Sequence, residues 1–423
     1  NDYRVALPHG NKVFHTNMLK KYFERSNDSD CDKDRIEVVA AGLSVVDDAD
    51  EPTGEPLIHT LDSSSQSWQD VNINPDLPLA LRRPLVELLK EFSCIFSDIP
   101  GRTTTHEHKI ELIDDQPIRV KQYPIPYAIR DEAVKAVQEM LDQGIIEPSD
   151  SPFCSPLLMV RKKDSTYRPV IDFRALNQKT VFDAEPTPNV DDIHVKLAGS
   201  HFFSKMDFCK GYWQIPMRPS DKPKTAFQCP PLGLFAFCTM PFGLVNSMAT
   251  YSRMMRKVLE GLLNTDNFVD DVLTYTVSWQ DHLDELRRVF QRVKQAGLTI
   301  KPSKCYFGYD TIDFVGHRVG RDTVKPLPEK IEQVMSATTP TTKKQLRAFL
   351  GLTGYYRRYI EGFATISAPL TDALKGGVRT ALNWGPEQTV AFEVLKTKLC
   401  SDPVLRSPDL SRPFVLRTDA SDV

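Results

Sequence analysis

No run of about eighteen apolar residues occurs in this sequence, so it offers no candidate membrane-spanning helix. It lacks an opening methionine, a basic leader and an apolar stretch behind one, so no secretory signal is visible. The chain therefore reads as a piece of something longer. Cysteine is thinly spread, with eight residues at positions 31, 94, 154, 209, 229, 238, 305 and 400. None forms a Cys-x-x-Cys pair and none stands near a histidine at zinc-ligand spacing, so neither a disulfide framework nor a zinc site is expected. These thiols read as reduced cysteines filling core volume. His106 and His108 lie two apart without a third ligand nearby, and read as exposed strand positions.

What is present suits a globular chain: 41% hydrophobic and 26% charged over 423 residues, about three domains' worth of length. The net charge of −3 hides an asymmetry. Residues 27–100 hold 16 acidic and 5 basic side chains, whereas 117–423 hold 34 acidic and 41 basic. A basic body behind an acidic leader permits a polyanionic partner, although the excess alone is weak evidence.

Residues 3–23 alternate around Pro8-His9-Gly10-Asn11 as a small hairpin. Residues 26–75 lack a sustained hydrophobic period and read as an acidic linker. Helices are expected over 78–92, 127–143 (closed by Gly144), 246–260 and 279–296, the last capped by Ser278 and Asp281 and stopped by Gly297. Met248, Tyr251, Met255, Val258 and Leu259 form the apolar stripe of the third. Segments 155–161 and 168–173 form a hairpin with the basic tip Lys162-Lys163. Strands are expected at 202–207, about 267–273 as a tight hairpin, and 298–300, with a β-rich insert at 212–240. Without the insert, the order is strand, helix, strand, strand, helix, strand: the split βαβ unit of a ferredoxin-like, α+β sheet. That topology places the third strand beside the first, so Asp207 should meet Asp270 and Asp271 despite more than sixty intervening residues.

Four Asp-Asp pairs occur, at 47–48, 114–115, 191–192 and 270–271. Only Asp270-Asp271 is flanked on both sides by apolar dipeptides, where a hairpin inside a sheet holds carboxylates fixed. Three carboxylates at one point repel unless cations neutralise them. Two Mg²⁺ ions about 4 Å apart do so, and phosphoryl transfer asks little else of a protein. Three unrelated surface aspartates fit the spacing equally well. Lys162, Lys163 and Arg168, with Tyr212 and Trp213 beyond Asp207, tilt the balance toward a nucleotide-handling site.

At these residues the chain resembles the reverse transcriptases of gypsy-type LTR retrotransposons. The likeness runs from about residue 80 to the end through ordered blocks. They are SPFCSPLLMVRKKDSTYRPVIDFRALNQKT, FFSKMDFCKGYWQIPM, KTAFQCP, TMPFGLVNSMATYSRMM, NFVDDVLTY, LTIKPSKCYFGYDTIDFVGH, LRAFLGLTGYYRRYI and PFVLRTDAS. The resemblance implies a right-hand polymerase with ferredoxin-like palm, fingers hairpin and helical thumb and connection. It implies catalytic and metal-binding roles for Asp207, Asp270 and Asp271, with the backbone carbonyl of Phe208 as a further ligand. Lys162 and Arg168 match residues that grip the incoming triphosphate, Tyr212 the sugar gate, and Phe242-Gly243 the loop beside the templating base. Phe314, Val315 and Gly316 match the hairpin that holds the primer end. Implied cofactors are two Mg²⁺ ions, with Mn²⁺ as a substitute. Implied partners are an RNA template, a DNA primer–template and dNTP, with no membrane; a dimer or release from a polyprotein is compatible.

Domains then fall at 1–25 (the end of an upstream integrase-like module or an unrelated hairpin), 26–75 (linker), 76–116 (pre-polymerase segment), 117–320 (fingers and palm), 321–405 (thumb and connection) and 406–423 (start of RNase H). Asp419 matches the first metal ligand of an RNase H domain whose remaining carboxylates are not in this chain, so no RNase H activity is expected of it. Localisation in cytoplasmic virus-like particles, with nuclear entry later, follows from the family alone. The chain departs from the family pattern at Phe268, where a tyrosine is usual, at Ser247-Met248 in place of Ala-Pro, and at Ala236 in place of an acid. These departures keep a second reading open: a decayed or co-opted relative that binds nucleic acid without polymerising.

Overall fold

The structure is a computed structural model. It describes residues 66–400 except 163, 164, 187, 198, 322 and 377–380, and the backbone of short strands at 2–7, 10–15, 19–21, 38–40 and 405–406. Lys163 and Asp419 lie outside the described residues. The chain divides into two compact units, 1–57 and 58–423. In the first, Asp2–Leu7 and Gly10–His15 pair antiparallel, as the alternation around Pro8 requires, and Leu19–Lys21 pairs with Val38–Ala40.

In the second unit, one five-stranded sheet carries the expected split βαβ. Its order is Thr265–Phe268, Asp271–Thr276, Phe202–Asp207, Tyr306–Tyr309 and Asn72–Ile73. Strand alternation sends successive residues to opposite faces. Met206 and Val272 join the core that includes Leu286, Val289, Phe290 and Val293 of helix Trp279–Gln295. Phe203, Leu273 and Tyr275 face the other way, against Ile193, Leu197, Ile312 and Phe314. His282 ties helix to sheet: its ring nitrogens sit 2.7 Å from Ser204 Oγ and 3.0 Å from Thr276 Oγ1. Burial pushes its pKa down to about 3, so it stays neutral.

A second five-stranded sheet has the order Ile146–Pro148, Gly233–Phe237, Phe227–Cys229, Ser155–Arg161 and Tyr167–Ile171. Its Leu157, Phe227, Phe235 and Phe237 belong to the same core as the first sheet's helices. A third sheet joins Thr311–Phe314, His317–Gly320, Thr323–Pro326 and Leu405–Arg406. Helices Pro328–Met335, Lys343–Tyr355, Phe363–Ala373 and Pro386–Cys400 close over a core of their own, including Leu346, Tyr356, Leu370, Phe392 and Leu395. Thr342 and Gln345 complete a reciprocal capping box at the start of the second of these helices.

The structure corrects several expectations. The strand that completes the split unit is Tyr306–Tyr309; Ile300 makes only isolated bridges, to Phe96 and Phe208. The linker reading runs too far, because Asn72–Ile73 forms an edge strand beside Tyr306-Phe307. Asn72 Nδ2 donates to the carbonyls of Ser303 and Cys305, and Asn74 Nδ2 to that of Gly308, which fix this strand without any hydrophobic period. His108 is buried, not exposed: its Nδ1 lies 2.8 Å from Thr250 Oγ1, and burial pushes its pKa down to about 4. Met248 points to solvent while the rest of its stripe is buried, and Cys94 is exposed.

Candidate active site

The hairpin Thr265–Phe268/Asp271–Thr276 turns through Val269 and Asp270, and Val269 sits at φ +51°. A β-branched residue there is strained, which marks a turn held by its surroundings. The register sets Asp271 directly opposite Asp207 on the neighbouring strand. Like charges across a strand pair repel. Two ammonium groups answer them: Lys205 Nζ lies 3.1 Å from Asp271 Oδ1, and Lys304 Nζ lies 3.3 Å from Asp207 Oδ2. Burial, then the charges of Asp271 and Asp270, push Asp207 up to about 7. Burial, then Asp271, push Asp270 up to about 6. Asp270 Oδ1 is buried without a hydrogen-bond partner.

These observations bear on a divalent cation. A buried Asp270 carboxylate oxygen without a donor, beside an Asp207 that is also held above its usual range and beside the charge of Asp271, lacks a partner that a cation would supply. The donor set is hard oxygen, which suits Mg²⁺ or Mn²⁺. Among the described residues no trio of side chains is drawn together tightly enough to hold a metal, because two of the three carboxylates face lysines instead. The chemistry of the site fits the ion. Phe208 is buried just past the strand end, between the Lys301 N–H bond to the Asp207 carbonyl and the Cys209 N–H bond to the Thr299 carbonyl.

An aromatic wall stands beside the carboxylates. Tyr212 stacks on Phe242 at 5.1 Å and 27°, and Tyr251 lies 5.4 Å from Tyr212. Tyr251 is completely buried and its hydroxyl has no hydrogen-bond partner. Asp270 is the strongest charge acting on that hydroxyl. Gly211 makes room for the ring, since a Cβ there would meet Tyr251 at 2.9 Å. Helical periodicity could mark Tyr251 only as core. The Phe242-Gly243 loop is stitched to the preceding segment by two asparagines that sequence reasoning missed. Asn177 Nδ2 donates to the Gly243 carbonyl and its Oδ1 accepts from Val245 N–H. Asn246 bonds the Val181 carbonyl and the Asp183 N–H in the same manner. Ser247 Oγ donates to the Pro241 carbonyl, so this departure from the family pattern has acquired a partner within the loop.

Lys162 and Arg168 belong to the second sheet, at the Ser155–Arg161/Tyr167–Ile171 hairpin. Arg168 faces Val160, and Lys162 N–H donates to the Thr166 carbonyl at 2.7 Å to close the tip. Phe314 is fully buried at the end of its strand, and the chain reverses through Val315 at φ +41° and Gly316 at φ +73°. Both turn carbonyls are taken. Tyr355 Oη donates to Val315 O at 2.7 Å and Tyr356 Oη to Gly316 O at 2.6 Å. His317 Nδ1, 2.9 Å from Val315 O, acts as a further donor to it. The two tyrosines were legible only as part of a helix.

The fold is that of solved reverse transcriptases. A foamy viral protease-reverse transcriptase solved with double-stranded DNA superposes with a TM-score of 0.72, at 22% identity over 77% of this chain and 58% of that one. The same enzyme with an RNA/DNA hybrid gives 0.70, over 77% and 44%. Residues 160–319 match the family described as reverse transcriptase (RNA-dependent DNA polymerase), and 384–423 match the RNase H-like domain found in reverse transcriptase. Among curated proteins, the Pol polyprotein of Drosophila melanogaster transposon 297 is 40% identical over 329 residues, 76% of this chain and 31% of that protein. The chain carries a reverse transcriptase domain of the LTR-retrotransposon kind. The polyprotein of Drosophila transposon gypsy is 31% identical over 90% of this chain and 39% of its own length. Transposon Tf2-3 of Schizosaccharomyces pombe is 31% identical over 86% and 27%. The chain thus spans about a third of the length of the curated polyproteins it matches.

Proposed function

We propose that the chain is the polymerase of a retrotransposon, extending a DNA primer on RNA and then DNA templates by transferring nucleotides from dNTP to the primer 3′-hydroxyl. The observation that carries this reading is the pairing of Asp271 with Asp207 beside the buried, unpartnered carboxylate of Asp270. Asp207, Asp270 and Asp271, with the Phe208 carbonyl, are the groups that would hold two Mg²⁺ or Mn²⁺ ions. Bound there, the ions supply the positive charge that lowers the pKa of the attacking hydroxyl and stabilises the leaving pyrophosphate.

The protein's own contribution is placement. Tyr212, braced by Phe242, offers an aromatic face for the sugar, and its packing against buried Tyr251 leaves no room for the ring to retreat. Lys162 and Arg168 carry fixed positive charge on the fingers hairpin and suit a triphosphate. Phe314, Val315 and Gly316 would hold the primer end, with Tyr355 and Tyr356 fixing their turn. The solved neighbours bound to double-stranded DNA and to an RNA/DNA hybrid support the same substrates for this chain.

Primer extension on an RNA template with Mg²⁺ tests the reading, using the wild-type chain and Asp270→Asn. The expected result is extension by the wild type alone. Equal template binding with no extension by either protein would favour the non-polymerising relative.

A further inference from the structure

The lysines at the carboxylates raise a question that the polymerase reading leaves open: what holds Asp207 and Asp271 together when no cation is bound. Lys205 lies two residues before Asp207 on the same strand, so both side chains project from one face. Asp271 is opposite Asp207 and therefore diagonal to Lys205, within reach of a long side chain. Lys304 arrives differently. Lys301 N–H donates to the Asp207 carbonyl at 2.9 Å, anchoring the short turn Pro302–Lys304 that brings the Lys304 ammonium to the carboxylate of the same aspartate. One residue is thus gripped through its backbone and through its side chain by one turn. Lys205 also has a second seat, since its Nζ lies 3.4 Å from the Asp313 carbonyl.

We infer that Lys205 and Lys304 are built-in counter-ions of the polymerase site: they occupy Asp271 and Asp207 in the metal-free protein and must be displaced for divalent cations to bind. This rests on the cation-dependent reading proposed above. The ammonium groups keep the closely set carboxylates from forcing the hairpin apart, and they set a threshold against cation capture before substrate arrives. Both are positioning residues, and their removal has two effects of opposite sign. The metal-free protein becomes less stable, because a partly buried carboxylate loses its partner. Cation binding becomes tighter, because nothing has to be displaced.

The test is Mn²⁺ titration of the intact chain without nucleotide, followed by calorimetry and electron paramagnetic resonance, together with thermal unfolding with and without Mn²⁺. Lys304→Gln and Lys205→Gln should each lower the metal-free Tm and bind Mn²⁺ about three- to tenfold more tightly. Mn²⁺ should then raise Tm more in these variants than in the wild type. Lys304→Arg, which keeps the charge, should retain wild-type affinity, and Lys205→Gln reports independently should Lys304→Gln not fold. Unchanged or weaker Mn²⁺ binding in the Gln variants, with binding abolished by Asp207→Asn, overturns the counter-ion role and leaves the polymerase reading standing. Absence of any Asp207-dependent Mn²⁺ binding in the wild type overturns both.

Discussion

Two tight turns in this molecule are built alike and finished differently. One runs through Val269 and Asp270, the other through Val315 and Gly316, and each places a valine in the left-handed region. That conformation costs on the order of 1–3 kcal/mol for a residue other than glycine. At the second turn both carbonyls receive hydroxyl donors from Tyr355 and Tyr356. At the first, a carboxylate oxygen is buried with no partner. Satisfied polar groups make a rigid support, whereas an unsatisfied buried charge asks for a ligand. One turn is closed by hydroxyl donors, and the other leaves a buried carboxylate oxygen without one.

Substitutions sharpen that contrast. The largest effect is expected from Asp207→Asn, which should lower primer extension by about a thousandfold or more while leaving primer–template binding intact, measured by single-nucleotide incorporation and by filter binding. Next comes the double variant Tyr355→Phe/Tyr356→Phe. Losing both donors costs about 1–3 kcal/mol, read as a lowered Tm and a roughly tenfold faster release of primer–template, with the dNTP KM unchanged. Replacing each valine by glycine should change stability by less than about 1 kcal/mol at either turn, since relief of strain offsets the lost side chain. Only Val269→Gly should lower the incorporation rate, because only there does the turn aim a charge.

The smallest effect is in the pH dependence. Asp207 and Asp270, raised to about 7 and about 6, keep protons that the unfolded chain releases near 3.8. Between about pH 4 and 7 the native state binds more protons, so their contribution to metal-free stability is full at acid pH and is lost as pH rises. Asp270→Asn should flatten the slope relative to wild type in urea unfolding at a series of pH values. A divalent cation should reverse it, since its ligands must be deprotonated. A slope in Asp270→Asn equal to that of wild type would place the unsatisfied charge elsewhere.

Much of this was legible in the sequence because the relevant signals are local. Apolar stripes marked the helices around Leu85 and Phe290, and strand order alone brought Asp207 to Asp271. The residues that finish the turns were not legible. Tyr251 and Tyr355 sit in helices and Tyr356 caps the end of one, where periodicity reports the ring and says nothing of the hydroxyl. Lys304 reaches Asp207 only through the turn anchored on Lys301. The closing strand was misplaced to 298–300 because Leu298-Thr299-Ile300 has the composition of a strand. The true one, Tyr306–Tyr309, contains Gly308 at φ +71° and a register shift against its neighbour, a bulge that breaks simple alternation. His108 and the edge strand at Asn72 depend on distant partners, Thr250 and the carbonyls of Ser303 and Cys305, that no local pattern announces.

The most direct test is single-turnover incorporation of one dNTP on a preformed primer–template, comparing Asp270→Asn with Tyr355→Phe/Tyr356→Phe. The account predicts that Asp270→Asn holds the primer–template as long as wild type and incorporates nothing, while the tyrosine variant incorporates at the wild-type rate and lets go early. Wild-type incorporation by Asp270→Asn would contradict it.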